Sequence, residues 1–114
     1  LVTDAMPPVG GTAGAFTLAG QTIRVTGGVC RGPDGTLAGS ALTMAQAVRN
    51  AIALAGCTLV EASRMASGNP AAFLGLSAET GTIAPGLRAD LVHLDSALRV
   101  ARTWTGGTLE ERGE

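Results

Sequence analysis

Leu1-Val2-Thr3-Asp4-Ala5-Met6-Pro7-Pro8 is the stretch on which the fold turns. Leu1 to Thr3 reads as the end of a buried strand, Asp4 stands where it stops, and Pro7 and Pro8 keep a helix or a ladder from continuing. Parallel α/β barrels place their chemistry at the carboxyl ends of the strands, so an acid there is a catalytic candidate. Asp4 also has an ordinary structural use, because aspartate commonly hydrogen-bonds its own turn. A natural N-terminus rarely opens inside a buried strand, so the chain is expected to be a fragment of something larger.

Past Pro8, the small flexible run Gly10-Gly11-Thr12-Ala13-Gly14 reads either as a loop over a site or as a plain surface connection. From Phe16 the apolar period becomes two. Phe16 and Leu18 share one face, Ile23 and Val25 alternate with Thr22, Arg24 and Thr26, and Ala19-Gly20 makes the turn. That predicts a β-hairpin, extended by a short third strand around Val29-Cys30. The segment Gly35 to Leu42 is made of small residues and leads into a helix capped by Ser40 or Thr43. Met44, Ala47, Val48, Ala51, Ile52 and Ala55 form its core stripe, and Gly56 ends it.

Thr58 and Glu61 have capping-box spacing, which predicts a helix to about Ser67 stopped by Gly68. Asn69-Pro70 then reads as an N-cap and a first-turn proline, with a last short helix from Ala71 to Leu74 closed by Gly75. Beyond Gly75 come strands. Ala89 to Asp95 is one, with His93 and Asp95 on its polar face, and Leu98 to Trp104 is another, turned by Gly106-Gly107. Trp104 is expected to pack on this small sheet, and the charged tail Glu110 to Glu114 to fray.

The 114 residues suffice for at most one domain, and the net charge of -1 with eight scattered arginines and no lysine points to neither nucleic acid nor an anionic membrane. No apolar run reaches the roughly 20 residues that span a bilayer. With no basic region ahead of an apolar core, Leu1-Val2-Thr3 is not expected to open a signal peptide. Cys30 and Cys57 lie far apart and fit no C-x-x-C spacing, so they are expected as reduced, mostly buried thiols of a cytoplasmic protein. His93 is the only histidine. A metal role for it alone is not expected.

The order of these pieces is more specific than any one of them. Val2-Thr3-Asp4-Ala5, a hairpin, the run Leu37-Ala38-Gly39-Ser40-Ala41-Leu42, then Asn69-Pro70-Ala71 and Gly86-Leu87-Arg88-Ala89-Asp90-Leu91, resembles the carboxyl-terminal third of the N-acetylglucosamine-6-phosphate deacetylases. The last two motifs are shared widely in the amidohydrolase superfamily; the first and third point to the deacetylases. The resemblance implies an α/β fold: the carboxyl-terminal part of a metal-dependent (β/α)8 barrel, residues 1–75 with the last strand, an inserted hairpin and closing helices, followed by strands of a small β-sandwich domain, residues 76–114. It implies Asp4 as the catalytic aspartate and Leu37, Ala38 and Gly39 as the segment touching the sugar. Small side chains there let backbone groups approach a ligand.

The implied reaction is hydrolysis of the acetamide of N-acetylglucosamine 6-phosphate by a metal-activated water, with Asp4 moving the proton. The implied cofactor is a divalent metal, often zinc, held by a glutamate and histidines that have no counterparts here, so its ligands lie outside this chain. No glycine loop ending in Lys-Ser/Thr and no basic cluster is present to grip a phosphate. The chain alone is therefore expected to be inactive, and the parent enzyme to be a cytoplasmic homodimer. Two rival readings are another amidohydrolase acting on a cyclic amide or nucleobase, and a non-catalytic structural piece.

Overall fold

Alternation of period two does build the first sheet. A computed structural model describes residues 1–110, so positions 111–114 of the expected frayed tail lie outside the described residues. β1 (Ala15–Leu18), β2 (Gln21–Thr26), β3 (Val29–Arg31) and β4 (Leu37–Ser40) form an antiparallel sheet in chain order. Ala19 and Gly20, at φ 48° and 77°, make the β1–β2 turn. Such left-handed pairs match the twist of a two-residue hairpin. Ile23 and Cys30 are buried on one face of the sheet.

The small-residue segment holds a strand where only a lead into a helix was expected. Ala, Gly and Ser have little β preference of their own. Pairing with β3 recruits them, Val29 opposite Ser40 and Cys30 opposite Gly39. The register then shifts, so that Arg31 faces Leu37 and Ala38 is the extra residue of a bulge.

The expected buried strand at Leu1 to Thr3 is absent. These residues join no ladder, and Val2 is 87% exposed. Extended backbone becomes a strand only where a neighbour satisfies its amides and carbonyls. Here the one bridge is parallel, Ala5 to Ser40. Pro7 and Pro8 do end the stretch, in turns closed by Val9 N to Met6 O and Gly11 N to Pro8 O.

α1 (Met44–Ala55) is capped by Thr43, whose Oγ1 accepts from the Gln46 amide at 3.2 Å. Ser40 is not its cap. Ala47, Val48 and Ala51 are buried as the stripe requires, while Met44 and Ala55 at its ends are exposed. The chain divides into two compact units, Leu1–Ala47 and the residues from Val48 onward.

In the second unit the capping box forms as expected. Thr58 Oγ1 accepts from the Glu61 amide at 3.2 Å, and Glu61 Oε2 accepts from the Thr58 amide at 2.8 Å. α2 (Leu59–Ser63) does not stop at Gly68. It runs through a π turn, Arg64–Gly68, into α3 (Asn69–Phe73), with Gly68 and Asn69 both helical. Pro70 explains the widened turn: its ring crowds the carbonyl four residues back, and a five-residue loop, Asn69 N to Arg64 O, moves the backbone aside. Two expected helices are thus one run. Gly75 closes it at φ 72°, with Leu76 N bonded to Ala71 O.

β5 (Leu91–Leu94), β6 (Val100–Thr105) and the unforeseen β7 (Thr108–Leu109) form a second antiparallel sheet. Asp95 is not a strand neighbour of His93, because β5 ends at Leu94. Its carboxylate instead closes the β5–β6 turn, accepting from the Ala97 and Arg99 amides at 2.9 Å each. Arg49 Nη1 donates to Leu98 O at 2.7 Å in the same unit. No helix among the described residues is long and apolar enough to cross a membrane.

Candidate active site

Asp4 stands in the left-handed region, at φ 51°. Aspartate tolerates this region better than most residues because its short polar side chain can bond locally, yet a non-glycine residue is seldom found there without surrounding support. The support comes from β4. Ser40 N donates to Asp4 O at 2.8 Å, and Met6 N donates to Ser40 O at 2.8 Å. Ser40 Oγ donates to Thr3 O at 2.5 Å and accepts from Leu42 N at 3.1 Å.

Gly39 makes the close approach possible. Its φ is 152°, and a Cβ built there would lie 2.6 Å from Met6 Cγ and 2.9 Å from Asp4 O. Any side chain would push the Asp4 segment away. Four residues singled out from the sequence thereby fall in one neighbourhood: Asp4, exposed at a tight turn, and Leu37, Ala38 and Gly39 on the strand beside it. Leu37 is 62% exposed, Ala38 half-buried and Gly39 buried. The bulge at Ala38 re-aims the side chains around it, a device found next to active sites.

An open depression of about 390 Å³ on the same sheet includes Leu37 and Ala38 in its lining, with Gln21, Asp34 and Thr36, but not Asp4. Asp34 is occupied in its own turn: the Thr36 hydroxyl, then the Thr36 amide, hold its carboxyl below the ordinary carboxylate range.

Among the described residues no three of His, Cys, Asp and Glu gather as metal ligands do. His93 is exposed on β5 opposite Arg102. The described residues do not fit a metal centre. Cys30 and Cys57 are free thiols, the first buried and the second half-buried. Ser40 and Met6 are the site-shaping residues missed from the sequence. Serine ahead of a helix carries the signature of a cap, which hid the tie back to Thr3.

The Amidohydrolase family profile matches residues 16–109. An N-acetylgalactosamine-6-phosphate deacetylase of Escherichia coli O157:H7 is 46% identical over 109 residues, 96% of this chain and 29% of that protein. The human N-acetylglucosamine-6-phosphate deacetylase is 40% identical over 111 residues, 96% of this chain and 27% of that protein. Among solved structures, the N-acetylglucosamine-6-phosphate deacetylase of Pasteurella multocida superposes with a TM-score of 0.92 at 34% identity, over 96% of this chain and 29% of that one. An aspartate-to-alanine variant of the Mycobacterium smegmatis enzyme, in complex with N-acetyl-D-glucosamine-6-phosphate, gives 0.80 at 38% identity, over 95% and 29%. The chain spans 65% of a 46%-identical relative from Escherichia coli K12, and under a third of these longer ones.

Proposed function

This chain belongs to the amidohydrolase family, and from that premise we propose that it serves in hydrolysing the acetamide of N-acetylglucosamine 6-phosphate to glucosamine 6-phosphate and acetate. The observation that carries the reading is the backbone tie between Asp4 and Ser40, which seats the aspartate against the segment assigned to the sugar. The relatives' names support the substrate class, as does the Mycobacterium smegmatis complex with N-acetyl-D-glucosamine-6-phosphate.

In this reading the Asp4 carboxylate takes a proton from the attacking water as its oxygen adds to the acetamide carbon. It returns that proton to the sugar nitrogen as the C–N bond breaks, leaving the amine and acetate. Leu37, Ala38 and Gly39 orient the sugar, with Leu37 the most exposed of the three and Gly39 buried against the Asp4 turn. Enzymes of this family that deacetylate are metal-dependent; the divalent metal, often zinc, then takes ligands from beyond the described residues. Residues 1–75 belong with the barrel and 76–114 with a small β-sandwich domain, the Ala5 to Ser40 parallel bridge supporting the first assignment. A cytoplasmic homodimer completes the reading, and the free thiols of Cys30 and Cys57 suit that compartment.

The test is acetate release by the complete gene product with added zinc, comparing wild type and Asp4→Asn on both epimers, N-acetylglucosamine and N-acetylgalactosamine 6-phosphate. The 46% identity to a relative named as an N-acetylgalactosamine-6-phosphate deacetylase makes the second epimer a required arm. Turnover on the glucosamine epimer, lowered by about 10²- to 10⁴-fold in Asp4→Asn with folding and metal content unchanged, is expected. Activity on neither epimer refutes the substrate class. Near-normal activity in the variant refutes Asp4.

A further inference from the structure

Ser40 supplies the cross-chain bonds on both sides of Asp4. Its amide holds the Asp4 carbonyl at 2.8 Å and its carbonyl holds the Met6 amide at 2.8 Å. Any residue but proline at position 40 could keep those two backbone bonds. The bond from Ser40 Oγ to Thr3 O, 2.5 Å, belongs to the side chain alone. The same Oγ accepts the Leu42 amide at 3.1 Å, so the hydroxyl is engaged as donor and acceptor and its rotation is set.

The direction of an aspartate's Cα–Cβ bond follows from the two peptide planes that flank its Cα, since each plane is rigid. The Thr3 carbonyl belongs to the plane before Asp4, and the Asp4 carbonyl to the plane after it. Ser40 anchors the first through its hydroxyl and the second through its amide. At φ 51° the arrangement is disfavoured for an L-residue left to itself, so freeing the first plane lets Asp4 rotate toward negative φ and swing its carboxylate.

We propose that Ser40 is a positioning residue for Asp4, its hydroxyl fixing the carboxylate where the amide of the substrate reacts. The inference rests on the reading of Asp4 as the proton carrier. It differs from a capping role, since Thr43 caps α1. It differs also from general packing, because what is at stake is the pair of hydrogen bonds made by one hydroxyl, to Thr3 O and from Leu42 N.

Four variants of the complete gene product separate these roles: Ser40→Ala, Ser40→Thr, Asp4→Asn and the double Asp4→Asn/Ser40→Ala, each assayed for kcat, KM and Tm on N-acetylglucosamine 6-phosphate. Displacing a catalytic group by about 1 Å costs about 10²-fold, so Ser40→Ala should lose about 10- to 100-fold in kcat with KM held within about threefold. Ser40→Thr keeps the hydroxyl and should recover most of that loss. The double variant should be no slower than Asp4→Asn alone, because a residue acting only through Asp4 has nothing left to position. Losses that multiply in the double variant overturn the proposal, as does a Ser40→Ala protein with unchanged kcat. A Ser40→Ala protein that fails to fold, or Ser40→Thr as slow as Ser40→Ala, also overturns it, assigning the residue to structure. Wild-type turnover in Asp4→Asn instead refutes the underlying reading of Asp4.

Discussion

Gly39→Ala is the substitution that probes the contact between β4 and the Asp4 turn most directly. The added Cβ would stand 2.6 Å from Met6 Cγ, 3.0 Å from Met6 Sδ and 2.9 Å from Asp4 O. The methionine end is flexible and can turn away. The Asp4 carbonyl is held at 2.8 Å by Ser40 N, so yielding there loosens the bond that seats the turn. Two costs add: a non-glycine residue at φ 152°, about 1–3 kcal/mol, and overpacking, about 1–3 kcal/mol. A total near 3 kcal/mol, below the middle of the summed range of about 2–6 kcal/mol because the methionine end yields, is a large share of the about 5–15 kcal/mol that holds a typical domain together. Gly20→Ala is the control, because Gly20 also has positive φ, 77°, but open space around its Cβ. It should lose only about 1 kcal/mol. Urea unfolding of both variants of the complete gene product measures the difference, expected at about 2 kcal/mol in favour of the control. Introducing Met6→Ala beside Gly39→Ala should recover less than half of the loss, since the clash with Asp4 O and the backbone strain both remain. If Gly39→Ala and Gly20→Ala unfold at the same urea concentration, the close approach of β4 to Asp4 is wrong, and with it the placement of the site.

The other predictions bear on the frame around the site. Ala19 occupies φ 48° in a tight hairpin turn, so Ala19→Asn, a residue that accepts this region, should stabilise by about 0.5 kcal/mol in the same urea assay. Gly81→Ala should destabilise by about 3 kcal/mol, because the residue is at φ 99° and its Cβ would overlap Ala71 Cβ and stand 3.2 Å from Ser67 O. Glu61 has its carboxyl held below the ordinary carboxylate range, first by the Thr58 amide and then by the Thr58 hydroxyl. A depressed folded-state value means its contribution is fully present above the unfolded value and disappears as pH falls through the folded one. Glu61→Gln should therefore lose less stability than wild type between about pH 7 and about pH 3, read from thermal melts at the two pH values.

The elements legible in the sequence are those whose cause is local. The Ala19-Gly20 hairpin, the Thr58 and Glu61 capping box, and the Gly56 and Gly75 helix ends all depend on residues within a few positions of one another, and each forms. Two helical boundaries were misread although every residue involved was in view. Gly68 and Asn69-Pro70 carry the composition of a stop and a start, yet a backbone that can widen by one residue absorbs the proline more cheaply than it can break and renucleate a helix. β4 was illegible for another reason. Leu37-Ala38-Gly39-Ser40 has no alternation to read, and its strand character comes from β3 across a bulge.

The candidate site shows the same division at closer range. Asp4 and the Leu37 to Gly39 segment could be named from the sequence because their order resembled a family's, but nothing local said that they touch, since 32 residues lie between Asp4 and Leu37 and the turns between are independently formed. Their meeting depends on what glycine lacks and on what serine adds. Without a side chain at position 39 the two backbones come within bonding distance, and with a hydroxyl at position 40 one residue reaches both the peptide before Asp4 and the one after it. The sequence reading gives Gly39 as a small residue of the segment touching the sugar and Ser40 or Thr43 as a cap. The geometry adds a close approach of Gly39 to the Asp4 turn and gives the cap to Thr43, with Ser40 facing backward along the chain to Thr3. The accuracy with which the Asp4 carboxylate is placed therefore rests on a glycine that lets β4 approach and a serine hydroxyl that anchors the turn, and substitution of Ser40 should move turnover before it moves affinity.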